Sequence, residues 1–250
     1  MMKGIYECKC RSSLSSSIPN RHGSYESLVA DPTVDVIWIG TPDACHGEHA
    51  KLALNAGKPV LVEKPFCANP SEAAEVYELS KKKQLFCMEG MWTRFVPSMM
   101  HTLNLITAGT IGAVKLVQSD FGCKFPIPAG ALNALGVYNL ALHHMVYDQH
   151  TPNQKMAIPS ELYASGTLRS DGMTDDQVGG VLQFGDSQLS TFAASLLVNS
   201  PNEAIIVGEK GRIRLLGPLW HSTNKIIVEV EGEKPKEVGF EGFEDVKFIR

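Results

Sequence analysis

Three short apolar runs that alternate with helical stretches are the feature that most limits how this chain can fold. The runs occupy residues 34–40, 59–62 and 85–88, and helical patterns occupy residues 46–55 and 70–83. Near-continuous apolar runs are typical of parallel strands that are covered on both faces. Strand, helix, strand, helix, strand is also the order of right-handed βαβ units. The sequence therefore predicts a parallel sheet with helices packed against it.

Capping residues support the boundaries of these helices. Ser24 precedes a short helical stretch that ends at Val29, and Asn69 precedes the stretch that begins with Pro70. Ser and Asn are favoured N-caps because their side chains accept hydrogen bonds from the first free backbone N–H groups, and Pro suits the first turn. We therefore expect helices to start at both positions.

The second half of the chain changes from alternating elements to strands. Helices are predicted at residues 97–108 and 130–147. Strands are predicted at residues 114–121, 161–168, 177–184, 188–198, 202–207, 212–216 and 225–230. Turn residues such as Gly185-Asp186 separate several of these runs, as antiparallel hairpins require. This pattern predicts an α+β region built on one large, mostly antiparallel sheet.

Charge and hydropathy exclude two classes of function. The 250-residue chain has 23 Lys and Arg against 27 Asp and Glu, a formal charge of −4, so it lacks the basic excess of nucleic-acid-binding proteins. Its mean hydropathy is −0.05, and no apolar run approaches the length of a membrane span. We therefore expect a protein that binds neither nucleic acid nor membrane.

The cysteines and the N-terminal residues favour a reducing compartment. The first 20 residues lack the apolar core of a secretory signal, so we expect a cytoplasmic protein. The spacing of the six cysteines does not indicate a disulfide framework. They are Cys8, Cys10, Cys45, Cys67, Cys87 and Cys123. Neither Cys8-x-Cys10 nor the adjacent His143-His144 matches a metal-ligand pattern, so no metal is expected.

Chemically active side chains follow all three predicted parallel strands. Thr41, Pro42 and His46 follow the first strand, and Glu63 and Lys64 follow the second. Trp92 and Arg94 follow the third. Ligands of open parallel sheets bind beyond the carboxyl ends of the strands, where these groups would meet. The convergence predicts a ligand site at this edge of the sheet.

These motifs resemble those of the Gfo/Idh/MocA oxidoreductases. The likeness rests on Ile39-Gly40-Thr41-Pro42 with His46, on Glu63-Lys64-Pro65 after the next strand, and on the segment 88–95. The resemblance implies a Rossmann domain followed by an α+β sheet domain. It also implies hydride transfer between a diol or sugar carbon and a nicotinamide cofactor, with NADP expected and NAD as the alternative. The usual dimer surface of such a family implies a homodimer.

The resemblance also implies an α/β fold class with an incomplete first domain. We expect a loose arm over residues 1–22, a partial Rossmann domain over residues 23–96 and a substrate or dimerisation domain over residues 97–250. No Gly-x-Gly-x-x-Gly motif occurs in the sequence. The first βαβ unit of the family is therefore expected to be missing, and because the sequence stops at Arg250 its C-terminal helical segment is expected to be missing as well.

Site roles follow from the same resemblance. Lys64 would hydrogen-bond the nicotinamide ribose and the reacting hydroxyl, and Tyr138 would be its acid/base partner. The remaining cofactor-side residues would be Trp38, Thr41, Pro42, His46, Glu63, Trp92 and Arg94. An ammonium at Lys64 would stabilise a developing alkoxide.

Each candidate also has a purely structural interpretation. Lys64 could be a solvated surface lysine, and Tyr138 could be a core tyrosine. His46 could serve only as a residue of the helix N-terminus. Trp92 and Arg94 could form a packing pair.

One substitution within the resemblance leaves two functions open. Ala134 stands where the family carries an Asp, four residues before Tyr138. The first hypothesis is an active dehydrogenase of the diol or sugar type. The second is a non-catalytic relative that serves as a dimerisation or binding module.

Overall fold

The computed structural model describes residues 20–124, 127, 129–148 and 157–240. The chain separates into two compact units, Met1–Met91 and Trp92–Arg250. The predicted arm over residues 1–22 lies outside the described residues, apart from its last three. No helix in the described ranges is long and apolar enough to cross a membrane.

The first unit contains the predicted parallel sheet. Its strands lie in the order β1-β2-β3, and Trp38, Leu61 and Met88 lie in register across them. Helices alternate with the strands along the chain, so the expected α/β arrangement is confirmed. The elements are α1 (Tyr25–Val29), β1 (Ile37–Ile39), α2 (His46–Asn55), β2 (Val60–Val62), α3 (Pro70–Lys83) and β3 (Cys87–Glu89).

The first strand is shorter than predicted and is not buried on both faces. Only Ile37–Ile39 pair with β2. Ile37 and Ile39 are buried, whereas Trp38 between them is 46% exposed. Side chains alternate between the two faces of a strand, so one face of β1 packs on the core and the other does not. The expectation of burial on both faces was wrong for this strand.

Both predicted helix caps of the first unit are present. Ser24 accepts a hydrogen bond from the Ser27 backbone N–H at 3.2 Å. Asn69 Oδ1 accepts one from the Glu72 backbone N–H at 3.0 Å, with Pro70 in the first turn. These bonds satisfy backbone donors that a helix start leaves free, and they set where each helix begins.

The second unit is built on an eight-stranded sheet in the order β11-β10-β9-β8-β4-β7-β6-β5. Neighbouring strands are antiparallel except β4 and β7, which pair in parallel. The mostly antiparallel sheet is therefore confirmed. The elements are α4 (Pro97–Thr107), β4 (Val114–Gly122), α5 (Val137–Asp148), β5 (Glu161–Leu168), β6 (Asp175–Phe184), β7 (Gln188–Ser195), β8 (Ala204–Gly208), β9 (Gly211–Leu215), β10 (Lys225–Val230) and β11 (Lys236–Gly239).

The predicted helix over residues 130–147 begins with a π-helical turn. Leu132–Gly136 is π-helical, and α5 follows it without a break. Asp175 Oδ2 accepts a hydrogen bond from the Leu132 backbone N–H at 2.7 Å, which supports the start of the turn. Short π segments often occur at functional sites, and here the segment leads directly into Tyr138.

The two faces of the large sheet differ at β6 and β7, whereas β5 is exposed on both faces. Ala164, Gly180 and Phe192 lie opposite one another, and the Phe192 ring lies 6.3 Å from that of His143 on α5. The residues next to them, Tyr163 and Val181, therefore point to the other face and are 68% and 37% exposed. The face opposite α5 thus presents apolar side chains to solvent.

Candidate functional site

Lys64 follows β2 directly, at the carboxyl end of the parallel sheet. Burial lowers the pKa of its ammonium, and the neighbouring carboxylates of Asp43, Glu63 and Glu89 oppose that shift. Lys64 is therefore not a freely solvated surface lysine. It is a partly buried cation held among acidic side chains, which is the environment expected of a functional lysine.

His46 joins the ends of the first two strands. Its ring is 1% exposed, with Nδ1 2.7 Å from the carbonyl oxygen of Pro65 and Nε2 2.8 Å from that of Thr41. Both ring nitrogens therefore lie against backbone carbonyls of the loops that follow β1 and β2. The histidine fixes the loop that carries Lys64, so in this geometry it acts through the backbone.

The other predicted residues of the first unit form a linked rim. The Trp38 indole N–H donates to Glu63 Oε1 at 3.2 Å, and Glu63 Oε2 accepts from the Lys64 backbone N–H at 3.3 Å. Thr41 Oγ1 lies 3.0 Å from His49 Nδ1. Pro42 precedes a 3₁₀ turn that begins at Asp43. The rim thus brings Trp38 and Glu63 to the side of Lys64.

A second group of predicted residues lies in the second unit. Trp92 and Arg94 share a 3₁₀ turn, Trp92–Phe95, and Arg94 is exposed. The Trp92 indole N–H donates to the Tyr138 hydroxyl oxygen at 3.0 Å. Tyr138 is 6% exposed at the start of α5. The structure therefore joins Trp92 to Tyr138, while Lys64 belongs to the first unit.

Two further members of the aromatic group were missed in the sequence. The His221 ring is stacked on Phe121 at 4.6 Å and lies 4.5 Å from the Tyr138 ring. Phe121 comes from β4 and His221 from the 3₁₀ turn Trp220–Ser222. Two features of the sequence could have indicated these residues. Phe121 is the last residue of a predicted strand, and Trp220 and His221 are adjacent ring-bearing residues after Pro218.

A cavity of about 460 Å³ in the described part of the second unit borders the aromatic group, since Phe121 is among its lining residues. Small side chains such as Ser165, Gly179 and Ala193 line it, and none of the predicted site residues does so.

The donor set around Lys64 fits one part of a nicotinamide cofactor. Its ammonium can donate to ribose hydroxyls, and the carboxylates of Glu63 and Glu89 can accept from hydroxyl or amide groups. Among the described residues of this rim, acidic groups outnumber Lys64, so the rim does not suit a pyrophosphate. The residues present therefore fit the nicotinamide riboside half.

Four described cysteines are not in disulfides: Cys45, Cys67, Cys87 and Cys123. In the same ranges no group of three or more His, Cys, Asp or Glu side chains is arranged to hold a metal ion. Cys8 and Cys10 lie outside the described residues.

Two family descriptions match the chain in succession. Residues 8–91 match an oxidoreductase family with an NAD-binding Rossmann fold, and residues 100–214 match the GFO/IDH/MocA C-terminal domain. The chain therefore belongs to the Gfo/Idh/MocA oxidoreductase family, as its motifs indicated.

Curated relatives give a narrower comparison. The chain is 32% identical over 228 residues to trans-1,2-dihydrobenzene-1,2-diol dehydrogenase of Danio rerio, an alignment that covers 88% of this chain and 66% of the relative. The Homo sapiens enzyme of the same name is 32% identical over 227 residues, with 87% and 66% covered. The chain thus spans just under two thirds of the length of these relatives.

Solved structures share the fold. An aldose-aldose oxidoreductase from Caulobacter crescentus, complexed with glycerol, superposes with a TM-score of 0.76 at 19% identity, covering 87% of this chain and 67% of that one. The 3-ketoreductase KijD10 from Actinomadura kijaniata, in complex with NADP, superposes with a TM-score of 0.72 at 19% identity. The match covers 87% of this chain and 67% of that one. An inositol dehydrogenase homolog from Azotobacter vinelandii, complexed with NADH, superposes with a TM-score of 0.74 at 16% identity. The match covers 86% of this chain and 59% of that one.

Proposed function

We propose that this chain is an NADP-dependent dehydrogenase that oxidises a diol or a sugar. The observation that carries the proposal is Lys64, a partly buried lysine at the carboxyl end of β2 whose pKa is lowered by burial and raised in part by the carboxylates near it. A cofactor of this type supplies the hydride acceptor. The protein supplies binding, orientation and the movement of one proton.

Lys64 is proposed to hold the substrate hydroxyl through its ammonium. Its N–H groups donate to that oxygen and to a ribose hydroxyl, and the positive charge stabilises the oxygen as it loses its proton. His46 supports this role, because it fixes the Thr41 and Pro65 carbonyls on either side of the rim.

Tyr138 is proposed as the acid/base residue: as the phenolate it takes up the proton that oxidation releases, and as the phenol it returns a proton in the reverse direction. Its oxygen accepts a hydrogen bond from the Trp92 indole N–H, which helps to set its position. Trp92 is therefore proposed to orient Tyr138 and to shape the substrate site.

The substrate class is proposed from the relatives and from the sequence. Segments 23–28, 88–95 and 136–138 resemble trans-1,2-dihydrobenzene-1,2-diol dehydrogenase, an enzyme also described as a D-xylose 1-dehydrogenase, and the relatives named above carry the first of these names. An aromatic group of Trp92, Phe121 and Tyr138 suits a flat ring or the apolar face of a sugar. We propose a cytoplasmic location for this activity.

A second candidate function rests on Ala134. It is buried in the π-helical turn before Tyr138, where the family resemblance places a carboxylate. Without that group the chain is a candidate for a non-catalytic binding or dimerisation module.

Turnover measurements separate the two candidates. The purified chain is supplied with NADP or NAD and with either benzene dihydrodiol or D-xylose, and reduced cofactor is followed by absorbance. We expect turnover with NADP that falls at least about a hundredfold in Tyr138→Phe, because general base catalysis is worth about that much. The exposed Tyr163→Phe serves as the matched control. A folded chain with no turnover on either substrate favours the binding module.

A further inference from the structure

His221 lies at the centre of the aromatic group that surrounds Tyr138. Its ring is 1% exposed and lies 4.5 Å from the Tyr138 ring with an interplanar angle of 32°. It is stacked on Phe121 at 4.6 Å and 27°, and the Trp92 ring meets it edge-on at 5.5 Å and 82°. The imidazole is therefore in contact distance of the proposed proton acceptor and of the two rings beside it.

The backbone that carries His221 is anchored on both sides. The Trp220 indole N–H donates to the Asp120 carbonyl of β4 at 2.8 Å, and Trp220 is fully buried. The Thr223 carbonyl accepts from Ser98 Oγ on α4 at 2.6 Å. A residue held between two such anchors has little freedom to move, so its ring can serve as a fixed surface for a neighbour.

The phenol of Tyr138 packs on this surface. Its oxygen accepts a hydrogen bond from the Trp92 indole N–H at 3.0 Å, and the length of that bond depends on where the phenol ring lies. The His221 ring covers one side of the phenol and limits its tilt. Loss of the imidazole would leave a void next to Tyr138 into which the phenol could turn, away from Trp92.

We propose that His221 is a positioning residue that holds the Tyr138 hydroxyl on the Trp92 indole N–H. This inference rests on the proposed function where it concerns turnover, but its structural part is independent of activity. A planar ring is what the role requires, since Phe121, Tyr138 and Trp92 all contact the imidazole through their rings or edges.

The structural part is tested by nuclear magnetic resonance of the indole N–H groups. The chain contains three tryptophans, so Trp92→Phe assigns the Trp92 signal. Tyr138→Phe removes the hydrogen bond and is expected to move that signal and to speed its hydrogen exchange. We expect His221→Ala to cause the same change. His101→Ala, which removes a half-buried histidine ring that contacts Phe240, is the control and leaves the Trp92 signal in place.

Two results of the indole measurement would overturn the proposal. One is a Trp92 signal that keeps its wild-type position in His221→Ala although Tyr138→Phe moves it. The other is a folded His221→Phe variant that loses the signal, because a phenyl ring preserves the stacking surface. If His221→Ala does not fold, His221→Asn tests the same loss of stacking with a smaller change in polarity and volume.

Turnover tests whether His221 acts through Tyr138. In the otherwise wild-type chain we expect His221→Ala to lower kcat by about tenfold or more, with the Kd for NADPH unchanged. In the Tyr138→Phe background the same substitution should change kcat by less than about twofold, because coupled residues are not additive. Additive losses would overturn the proposal. A Tyr138→Phe variant that keeps full turnover would instead refute the proposed role of Tyr138, and the indole measurement would still decide that of His221.

Discussion

At the scale of single residues, the environment of a titratable group determines which charge it carries. Burial lowers the pKa of Lys64, whereas the partly exposed Lys51 pairs with Glu75 at 2.8 Å, and this hydrogen bond raises its pKa. The two lysines belong to the same unit and differ in what surrounds them. The first is suited to a site and the second to a solvated surface.

Lysine titration tests this difference directly. After labelling with ¹³C-methyl groups, Lys64 should titrate below the ordinary lysine pKa of 10.5 and Lys51 above it. The signals are assigned with Lys64→Arg and Lys51→Arg. A Lys64 signal that titrates together with or above that of Lys51 would contradict the burial described for it.

A buried histidine predicts acid sensitivity of the second unit. Burial, with a smaller effect from His144, lowers the pKa of His143 from 6.5 to about 3. The unfolded chain binds a proton on this ring near pH 6.5 and the folded chain does not, so stability falls as the pH drops from about 6.5 toward 3. The full loss is on the order of 4 kcal/mol. His143→Gln should flatten this slope in denaturant unfolding, and His101→Gln should not. Equal pH dependence of stability in the wild type and in His143→Gln would refute the predicted effect of His143.

At the scale of elements, a cap controls the stability of a helix. Asn69 accepts from the Glu72 backbone N–H at 3.0 Å and from Ser71 Oγ at 2.6 Å. Asn69→Ala should cost about 1 kcal/mol of unfolding free energy. Asn104→Ala, on the exposed side of α4, is the matched control and should be neutral or slightly stabilising, because Ala favours a helix interior. Equal effects of the two substitutions in urea unfolding would show that the cap contributes nothing.

Local signals predicted most elements, and the exceptions have physical causes. Ser24 and Asn69 mark helix starts correctly because a cap depends only on neighbouring residues. Trp38 is exposed although its run is apolar, since burial depends on what packs against each face. The polar strand β11 was missed because it is an edge strand that pairs only with β10.

The site was predictable only in part for the same reason. Lys64 and Tyr138 lie within recognisable motifs, and the resemblance to a family assigned a role to each of them. His221 and Phe121 reach Tyr138 from distant parts of the chain, through the pairing of β4 and the anchoring of Trp220. Contacts of this kind depend on sheet register, which a single sequence does not specify.

At the scale of the whole molecule, an exposed apolar sheet face indicates an association surface. Tyr163, Val181 and Leu189 are 68%, 37% and 40% exposed on β5, β6 and β7. Large exposed apolar patches are uncommon on monomers. We propose that this face forms a homodimer.

Sedimentation tests the proposed dimer. Tyr163→Glu places a charge on the apolar face and should convert dimer to monomer, since a buried unpaired charge is costly. Tyr77→Glu, at a tyrosine that is 53% exposed on α3, is the control and should leave the dimer intact. A wild-type chain that sediments as a monomer would refute the proposal.

The central claim is that the rim around Lys64 binds a nicotinamide cofactor, and titration with NADPH tests it most directly. Cofactor fluorescence should show saturable micromolar binding by the folded chain. Lys64→Ala should weaken that binding about tenfold or more, because a hydrogen bond from a charged group is worth about 1.5–3 kcal/mol. Lys51→Ala should bind as the wild type does. A folded chain that does not bind NADPH, or a Lys64→Ala variant with wild-type affinity, would contradict the account.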